Sequence, residues 1–500
     1  MERIIVSNKE SFRTIIETNP ISENKNYGRH ILGTLLNYDQ PNKNGVIIYD
    51  LEFDYKGFVG DFSQIIDQDI FHFLKLFIES KEPKIPLNRI YFENCVFKSG
   101  LSFKKSIEFS FLNCTFDSEI TFQYLKVNGL YEFKNDTVFK EKVVFKSNNA
   151  KLYFKECTFE KELKAKDVTF DNKIRLHNCY FTEKTDFRNT KFKELADFWC
   201  STFNKRTIFF KTDFYGTTVF SGVTFNENVL FTYSLIDKNL ILKGTKPLKG
   251  FDLSLAIIAG ELLLFDFNLS NFKSDTKSYV SQQDYDNDVS TIGKIPIKNK
   301  RETYRIIKNQ LISQKNTIDA TKFSYLESST LRKEVFSKIF SFPNKKSFNR
   351  IGEWYQETKN KSKFTGVLKN GTIHILKAIY NWLSAIANYI LLSLNRLSNR
   401  HGTSYVFGII FTLIVGALFY CLSVTSTSKY EITYAFDWAI VKENISGYVQ
   451  FLIPTHRFTY LNDIMKGHTL ESGFYIWDVL GRIFIGYGIY QTIQAFRKYK

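Results

Sequence analysis

Residues 157–231 read CTFEKELKAKDVTFDNKIRLHNCYFTEKTDFRNTKFKELADFWCSTFNKRTIFFKTDFYGTTVFSGVTFNENVLF. Phe159, Phe170, Phe181, Phe192, Phe203, Phe214 and Phe225 fall on a strict eleven-residue beat. Phe187, Phe198, Phe209, Phe220 and Phe231 keep the same beat in the gaps, so the steps alternate five and six. A fixed internal period marks a stack of like units that touch only their neighbours. An eleven-residue repeat also describes a right-handed coiled coil. However, a five-residue step at about 100° per residue turns a side chain roughly 140° around a helix, which splits the two rows apart. In extended chain, residues i−2 and i share a face. The residue two before each Phe is small: Cys157, Val168, Cys179, Thr190, Ser201, Thr212 and Val223 in the first row, and Thr185, Ala196, Thr207, Thr218 and Val229 in the second. Each unit therefore buries one small and one large side chain, and leaves Lys, Glu, Asp and Asn outside.

The pattern weakens but persists upstream at Phe92, Phe97, Phe103, Phe111, Phe122 and Phe133. Downstream, LILKGTKPLKGFDLSLAIIAGELLLFDFNLSNF continues it with Leu and Ile. The stretch from Cys157 to Phe225 resembles the phenylalanine-rich form of the pentapeptide-repeat family, over roughly residues 88–273 and most specifically over 154–231. The resemblance implies a right-handed quadrilateral β-helix of about 22 residues per coil. With strands ~4.8 Å apart, some eight coils make a rod on the order of 40 Å long. The expected fold class is this β-solenoid followed by an α-helical transmembrane region. Residues 1–87 mix helical and strand-like pieces and read as the mixed α/β cap that such stacks require.

Cys95, Cys114, Cys157 and Cys179 occupy the small inward position, and Cys200 and Cys421 complete the set. No CxxC and no Cys/His zinc spacing is present. Small buried hydrophobes in a reducing compartment are the expected reading. The start MERIIVSNKESF has no apolar run of signal-peptide type.

The net charge of +17 is concentrated in one segment. Residues 291–400 hold 21 Lys or Arg against 6 Asp or Glu. Nucleic acid is one partner for such a patch. Its position before a membrane segment favours anionic lipid headgroups instead, at about 1 kcal/mol per basic residue near the surface. Tyr405–Val424 is twenty residues without charge, long enough to span a bilayer. A weaker second span, Phe474–Phe496, is interrupted by Asp478 and Arg482, four apart and able to pair on one helix face. The positive-inside rule then places the basic segment and the tail (Arg497, Lys498, Lys500) in the cytoplasm. Residues 399–500 form a two-span hairpin with an external loop at 425–473. Within the basic helical linker, 274–372, Tyr304, Ile307 and Leu311 mark one helix face, and Ala320, Phe323 and Leu326 another. This helix pair and the two-span ending resemble the segments C-terminal to the repeats in many membrane-attached members of the family. Residues 373–398 place Lys377, Asn381, Ser384, Asn388 and Asn395 on one stripe, as in a helix lying in the membrane interface.

Charges inside a span are functional candidates by default, which singles out Asp478 and Arg482. His456 and Arg457, in the loop motif PTHRF, are a candidate loop site. Gly486–Gly488 reads GYG, but lies too near the C-terminus to leave room for the span that comes after a potassium-channel filter; helix packing explains it better. No Walker loop, HExxH, nucleophile elbow or dinucleotide fingerprint occurs, so catalytic, cofactor and metal residues are all read as none. The expectation is a bacterial, multi-pass protein of the cytoplasmic membrane, homo-oligomeric and not an enzyme, whose β-helix binds a protein partner. The membrane module either forms an ion-channel-like pore or only anchors a scaffold. Gyrase inhibition by DNA mimicry, known in the family, needs an acidic rod, and lysine-rich repeats oppose it.

Overall fold

The computed structural model describes residues 3–18, 32–35, 45–54, 59–61, 72–74, 89–103, 108–123, 125, 128–147, 149–269, 271–275, 279, 281–340, 364–427, 438–457 and 472–497. The chain divides into two compact units, Met1–Thr303 and Tyr304–Lys500.

The first unit is a parallel β-solenoid of about eight turns over residues 90–263. Among the described residues the short strands of this unit stack into four sheets, numbered 1 to 4, of ten, nine, eleven and five strands, parallel except for Leu32–Leu35 against Gly45–Tyr49. Strand pairing sets the register. Phe159, Phe181, Phe203 and Phe225 align in sheet 1, and Phe170, Phe192 and Phe214 in sheet 4. Phe187, Phe209 and Phe231 form a third ladder and Phe198 and Phe220 a fourth. All twelve of these Phe are at most 1% exposed, as are the small residues two before them except Val168 at 2%. Rings stack nearly parallel between coils; Phe181 and Phe203 have centroids 4.4 Å apart at 2°. Each eleven-residue row is thus two alternating ladders of 22-residue period.

The upstream irregularity has a structural cause. Sheet 1 partners Phe97, Phe116, Phe139 and Phe159 are spaced 19, 23 and 20 residues apart. The five-stranded sheet begins only at Thr169. Before that point the fourth side carries no paired strand among the described residues, so its length is free to vary. Once Phe170 and Phe192 pair there, every coil closes at 22.

A second period accompanies the Phe rows. Glu156, Asp167, Asn178, Asn189, Cys200, Lys211, Gly222, Tyr233, Gly244, Leu255 and Asp266 all have positive φ, eleven residues apart. All but Asp266, which precedes Phe267, stand just before a small residue, and each turns one corner in the left-handed region. Asn, Asp and Gly accept that geometry at low cost, whereas other residues pay roughly 1–2 kcal/mol.

Interior hydroxyls fall into two classes. Thr190, Ser201, Thr212, Ser234 and Thr245 donate to the carbonyls of Ala165, Leu176, Phe187, Phe209 and Phe220, always 25 residues back. Cys157 and Cys179 donate likewise to the carbonyls of Phe133 and Phe154, 24 and 25 residues back. Thr185, Thr207 and Thr218 are as deeply buried, yet their Oγ1 atoms have no partner. Cys95 and Cys114 are also buried, as expected, while Cys200 and Cys421 are exposed.

Both ends depart from the expected boundaries. The stacked strands begin before residue 88: Ile4–Val6 pairs with Leu51–Phe53, which pairs with Val96–Phe97. Helix α1 (Lys9–Thr18) starts with a reciprocal cap, Ser11 N–H to Asn8 Oδ1 (2.7 Å) and Asn8 N–H to Ser11 Oγ (3.0 Å). It buries Phe12 and Ile16. Phe12 lies 6.0 Å from Phe53, which stacks at 4.8 Å on Phe97, so α1 closes the open end of the aromatic core. At the other end, residues expected to be linker belong to the solenoid. Ile208 and Leu230 point outward from sheet 2 but are fully buried. Leu230 lies under a strap after the last coil, 3.6 Å from where a Cβ on Gly293 would sit. Arg206 donates to the Ile292 carbonyl (2.6 Å) and Asn228 to the Gly293 carbonyl (2.9 Å). The strap runs from helix α2 (Gln282–Asp286) through these contacts into helix α3 (Ile297–Ser313). Asn299 of α3 donates to Asp252 Oδ2 (2.9 Å), and Thr303 Oγ1 accepts from the Leu253 N–H (2.9 Å). Burial pushes the Asp252 carboxyl above its usual range against these hydrogen bonds.

Candidate functional site

The second unit contains α4 (Thr317–Phe340), α5 (Phe364–Asn399), α6 (Tyr405–Thr425), α7 (Trp438–Phe451) and α8 (Ser472–Phe496). The expected faces are present in α3 and α4: Tyr304, Ile307, Leu311, Ala320 and Phe323 are buried, and Tyr304 meets Phe323 at 6.2 Å. Among the described residues only α6 is long and apolar enough to cross a membrane, with a mean hydropathy of 2.4. The segment expected as a second span is a single helix, α8, but Asp478 and Arg482 keep it below that standard. The expected loop 425–473 contains α7, and its residues 428–437 and 458–471 lie outside the described residues. So do residues 341–363 of the basic segment and Lys498–Lys500.

Helices α6 and α8 run antiparallel and touch through glycine. A Cβ added to Gly408 would lie 2.4 Å from Thr492 Oγ1, and one added to Gly488 would lie 2.3 Å from Thr412 Oγ1. Gly486 faces open space. GYG is therefore one turn of a continuous helix, with Gly488 as a packing residue.

A polar site lies inside this largely apolar unit. Asp478 is fully buried on α8. Its Oδ2 accepts from Arg482 Nε at 2.8 Å, one turn on, as the spacing implied. Its Oδ1 lies 2.8 Å from His456 Nε2. The two candidate sites read separately from sequence thus meet, in part. His456 arrives from the turn after α7, its side chain 4% exposed, while Arg457 is exposed. The reason is local. Phe451 ends α7 fully buried, and its ring occupies the space a Cβ on Gly481 would take, 2.4 Å from Phe451 Cζ. The ring of Phe451 lies 5.4 Å from that of His456. Gly481 admits Phe451, and Phe451 screens the histidine. No spacing rule joins residues 22 apart across an unknown turn, so only the fold reveals this contact.

His456 Nδ1 lies 2.7 Å from the Ile453 carbonyl, which only accepts, and Nε2 lies against Asp478 Oδ1, so both ring nitrogens face oxygen atoms.

No family model, curated protein or solved structure matches the chain.

A second polar cluster ties α5 to α8. Asn395 Oδ1 accepts from Tyr487 (2.6 Å) and Gln491 Nε2 (3.0 Å), and Asn399 Nδ2 donates to the Gln491 carbonyl (3.1 Å). Asn395, expected on the wet stripe of an interfacial helix, instead faces its own unit. Asn381 and Asn388 are exposed.

On the solenoid, the outer surface beside sheet 3 carries Tyr153, His177 and Trp199 in edge-to-face contact, at 5.3 and 5.7 Å. His177 Nε2 lies 2.8 Å from Asp197 Oδ2, and Trp199 is 45% exposed. This row had no sequence signal, because its members are spaced like any outward residue. Among the described residues no group of His, Cys, Asp or Glu is placed to hold a metal.

Proposed function

We propose that the protein is a non-catalytic, membrane-anchored solenoid: a pentapeptide-repeat-like rod, right-handed and quadrilateral, that binds a protein partner from the cytoplasmic face of a bacterial membrane. The observation that carries this reading is the inverted surface of the helical unit. Helix α6 exposes Val406, Ile409, Ile410, Leu413, Ile414 and Leu418, and α8 exposes Ile476, Val479, Ile483, Ile489 and Ile493. The strongest polar groups of α8, Asp478 and Gln491, are buried. A surface of this kind suits hydrocarbon, and the His456–Asp478–Arg482 cluster gives α8 the pairing that intramembrane charge requires. In this reading α8 is a second span, both termini are cytoplasmic, and the basic residues of 291–400 hold anionic headgroups.

The same cluster favours the anchor over the pore. Both oxygens of the Asp478 carboxylate are engaged within one protomer, by Arg482 and His456. The row of half-buried Tyr153 and His177 with exposed Trp199 is the surface we assign to the protein partner, since aromatic residues dominate binding hot spots. DNA mimicry and nucleic-acid binding have no support in these features.

Membrane attachment is tested by washing vesicles that hold the full-length protein at alkaline pH and measuring what stays bound. Retention is expected. Ion or dye release from those vesicles above background would replace the anchor with the pore. Partner binding is tested with a fragment ending at Ser313, which keeps the strap; Trp199→Ala should abolish capture of the partner without unfolding the rod.

A further inference from the structure

Helix α5 uses one side to pack within its unit. Tyr389 meets the Phe336 ring at 5.2 Å and the Arg332 guanidinium at 5.8 Å, and Asn395 and Asn399 bond to α8. The other side faces outward: Tyr380, Leu383, Ile390 and Leu397 are 71, 53, 52 and 63% exposed. In sequence these belong to a longer series, Ile373, Leu376, Tyr380, Leu383, Ala387, Ile390, Leu394 and Leu397, with steps of three and four in strict alternation. Asn381, Asn388 and Asn395 keep the same seven-residue period beside it.

That period identifies the occupant. An α-helix has 3.6 residues per turn, so a strict heptad stripe drifts about 20° per heptad, or roughly 70° between Ile373 and Leu397. A flat lipid surface has no period and selects a stripe at 3.6. Only another helix, wound left-handed around the first, keeps a 3.5-residue seam in contact along its length. The flanking positions Lys377, Ser384, Leu391 and Ser398 on one side, and Ile379, Ile386 and Ser393 on the other, include no acidic residue. Nothing there selects a partner of complementary charge, and a self-complementary seam meets its own copy in a two-fold pair.

We infer that α5 is a coiled-coil interface joining two copies of this chain through the same helix. The pairing is parallel, and this detail rests on the membrane reading above: α6 begins six residues after α5 ends, so both copies enter the bilayer from one side. Tyr380, Leu383, Ala387 and Ile390 then face their own counterparts, while Asn381 and Asn388 lie outside.

The test is disulfide scanning of the full-length protein in phosphatidylcholine–phosphatidylglycerol vesicles. The exposed Cys200 and Cys421 are first replaced by Ser. Single variants Tyr380→Cys, Leu383→Cys, Ala387→Cys and Ile390→Cys should form dimers about ten-fold faster than Asn381→Cys and Asn388→Cys, tracing the seam. Leu383→Glu with Ile390→Glu should convert the dimer to monomer while helix content stays unchanged. A monomeric wild-type chain, or cross-linking without a seven-residue period, overturns the proposal. Quenching of a fluorophore at residue 390 by brominated lipid, with no cross-linking, assigns the face to lipid and also overturns it. Cross-links that form only when two different single variants, such as Tyr380→Cys and Ile390→Cys, are mixed would make the pair antiparallel and overturn the parallel arrangement. If the membrane reading alone fails, the protein washes off the vesicles, yet the periodic cross-linking persists in solution.

Discussion

Thr207→Val and Thr212→Val are the same chemical change, five residues apart in the same solenoid, and they should have opposite signs. Both side chains are fully buried. Thr212 Oγ1 donates to the Phe187 carbonyl at 2.6 Å. That carbonyl also accepts from the Thr190 N–H at 3.2 Å, so it is not orphaned when the hydroxyl is removed. The loss is therefore that of one net hydrogen bond, about 1 kcal/mol. Thr207 Oγ1 has no partner, and a buried hydroxyl left unpaired costs roughly 1–3 kcal/mol against an apolar group of the same shape. Valine preserves the volume in both cases, so no cavity term enters. Thr207→Val should stabilise by about 1 kcal/mol and Thr212→Val should destabilise by about as much, a gap of roughly 2 kcal/mol. Urea unfolding of the fragment ending at Ser313 measures this, with the slope m held equal among variants, because stacked repeats can lose cooperativity. Equal destabilisation by both variants would refute the two-class assignment of the interior hydroxyls.

Phe203→Ala should cost about 3–5 kcal/mol and the exposed Lys205→Ala almost nothing, measured by thermal melts; equal effects would place the 22-residue register wrongly. Leu255→Gly should raise stability by about 1 kcal/mol, because Leu255 holds a left-handed corner at φ 58, and a loss instead would remove the strain assigned to that corner. Burial raises the Asp186 carboxyl, but Arg188 (2.6 Å) and Lys184 (3.1 Å) outweigh it and hold the pKa below the usual range. Its stabilisation is therefore present above the unfolded value near 3.8 and is lost as pH falls through the folded value. Asp186→Asn should flatten the acid limb of the stability curve, and an unchanged limb would assign acid sensitivity elsewhere. In the helical unit, Asp478→Ala leaves His456 and Arg482 without their shared anion and should cost on the order of 3–5 kcal/mol, whereas Gly486→Ala should be neutral and Gly488→Leu should separate α6 from α8. Resistance to unfolding in detergent reads all three, and sensitivity at Gly486 equal to that at Gly488 would sink the packing account.

The solenoid was legible in sequence because its physics is local and repeated. A Phe at position i and a small residue at i−2 recur with every corner, and strand alternation alone turns both inward. The same regularity located the interior cysteines and showed Lys205 facing out. The αL corners were legible in principle, as the recurring Asn, Asp and Gly before each small residue. Glu156, Cys200, Lys211, Tyr233 and Leu255 obscure that signal, since stacking overrides backbone preference there. What sequence could not decide depends on contacts between distant residues. The register turns Ile208 and Leu230 outward, yet both are buried, Leu230 against the strap at 281–303. Asn395 read as part of a wet stripe until Tyr487 and Gln491 reached it. Asp478 and Arg482 were visible as a pair because a helix brings residues four apart onto one face. His456 joins them only because Gly481 lets Phe451 in, and that spatial fit has no period, spacing or composition to betray it.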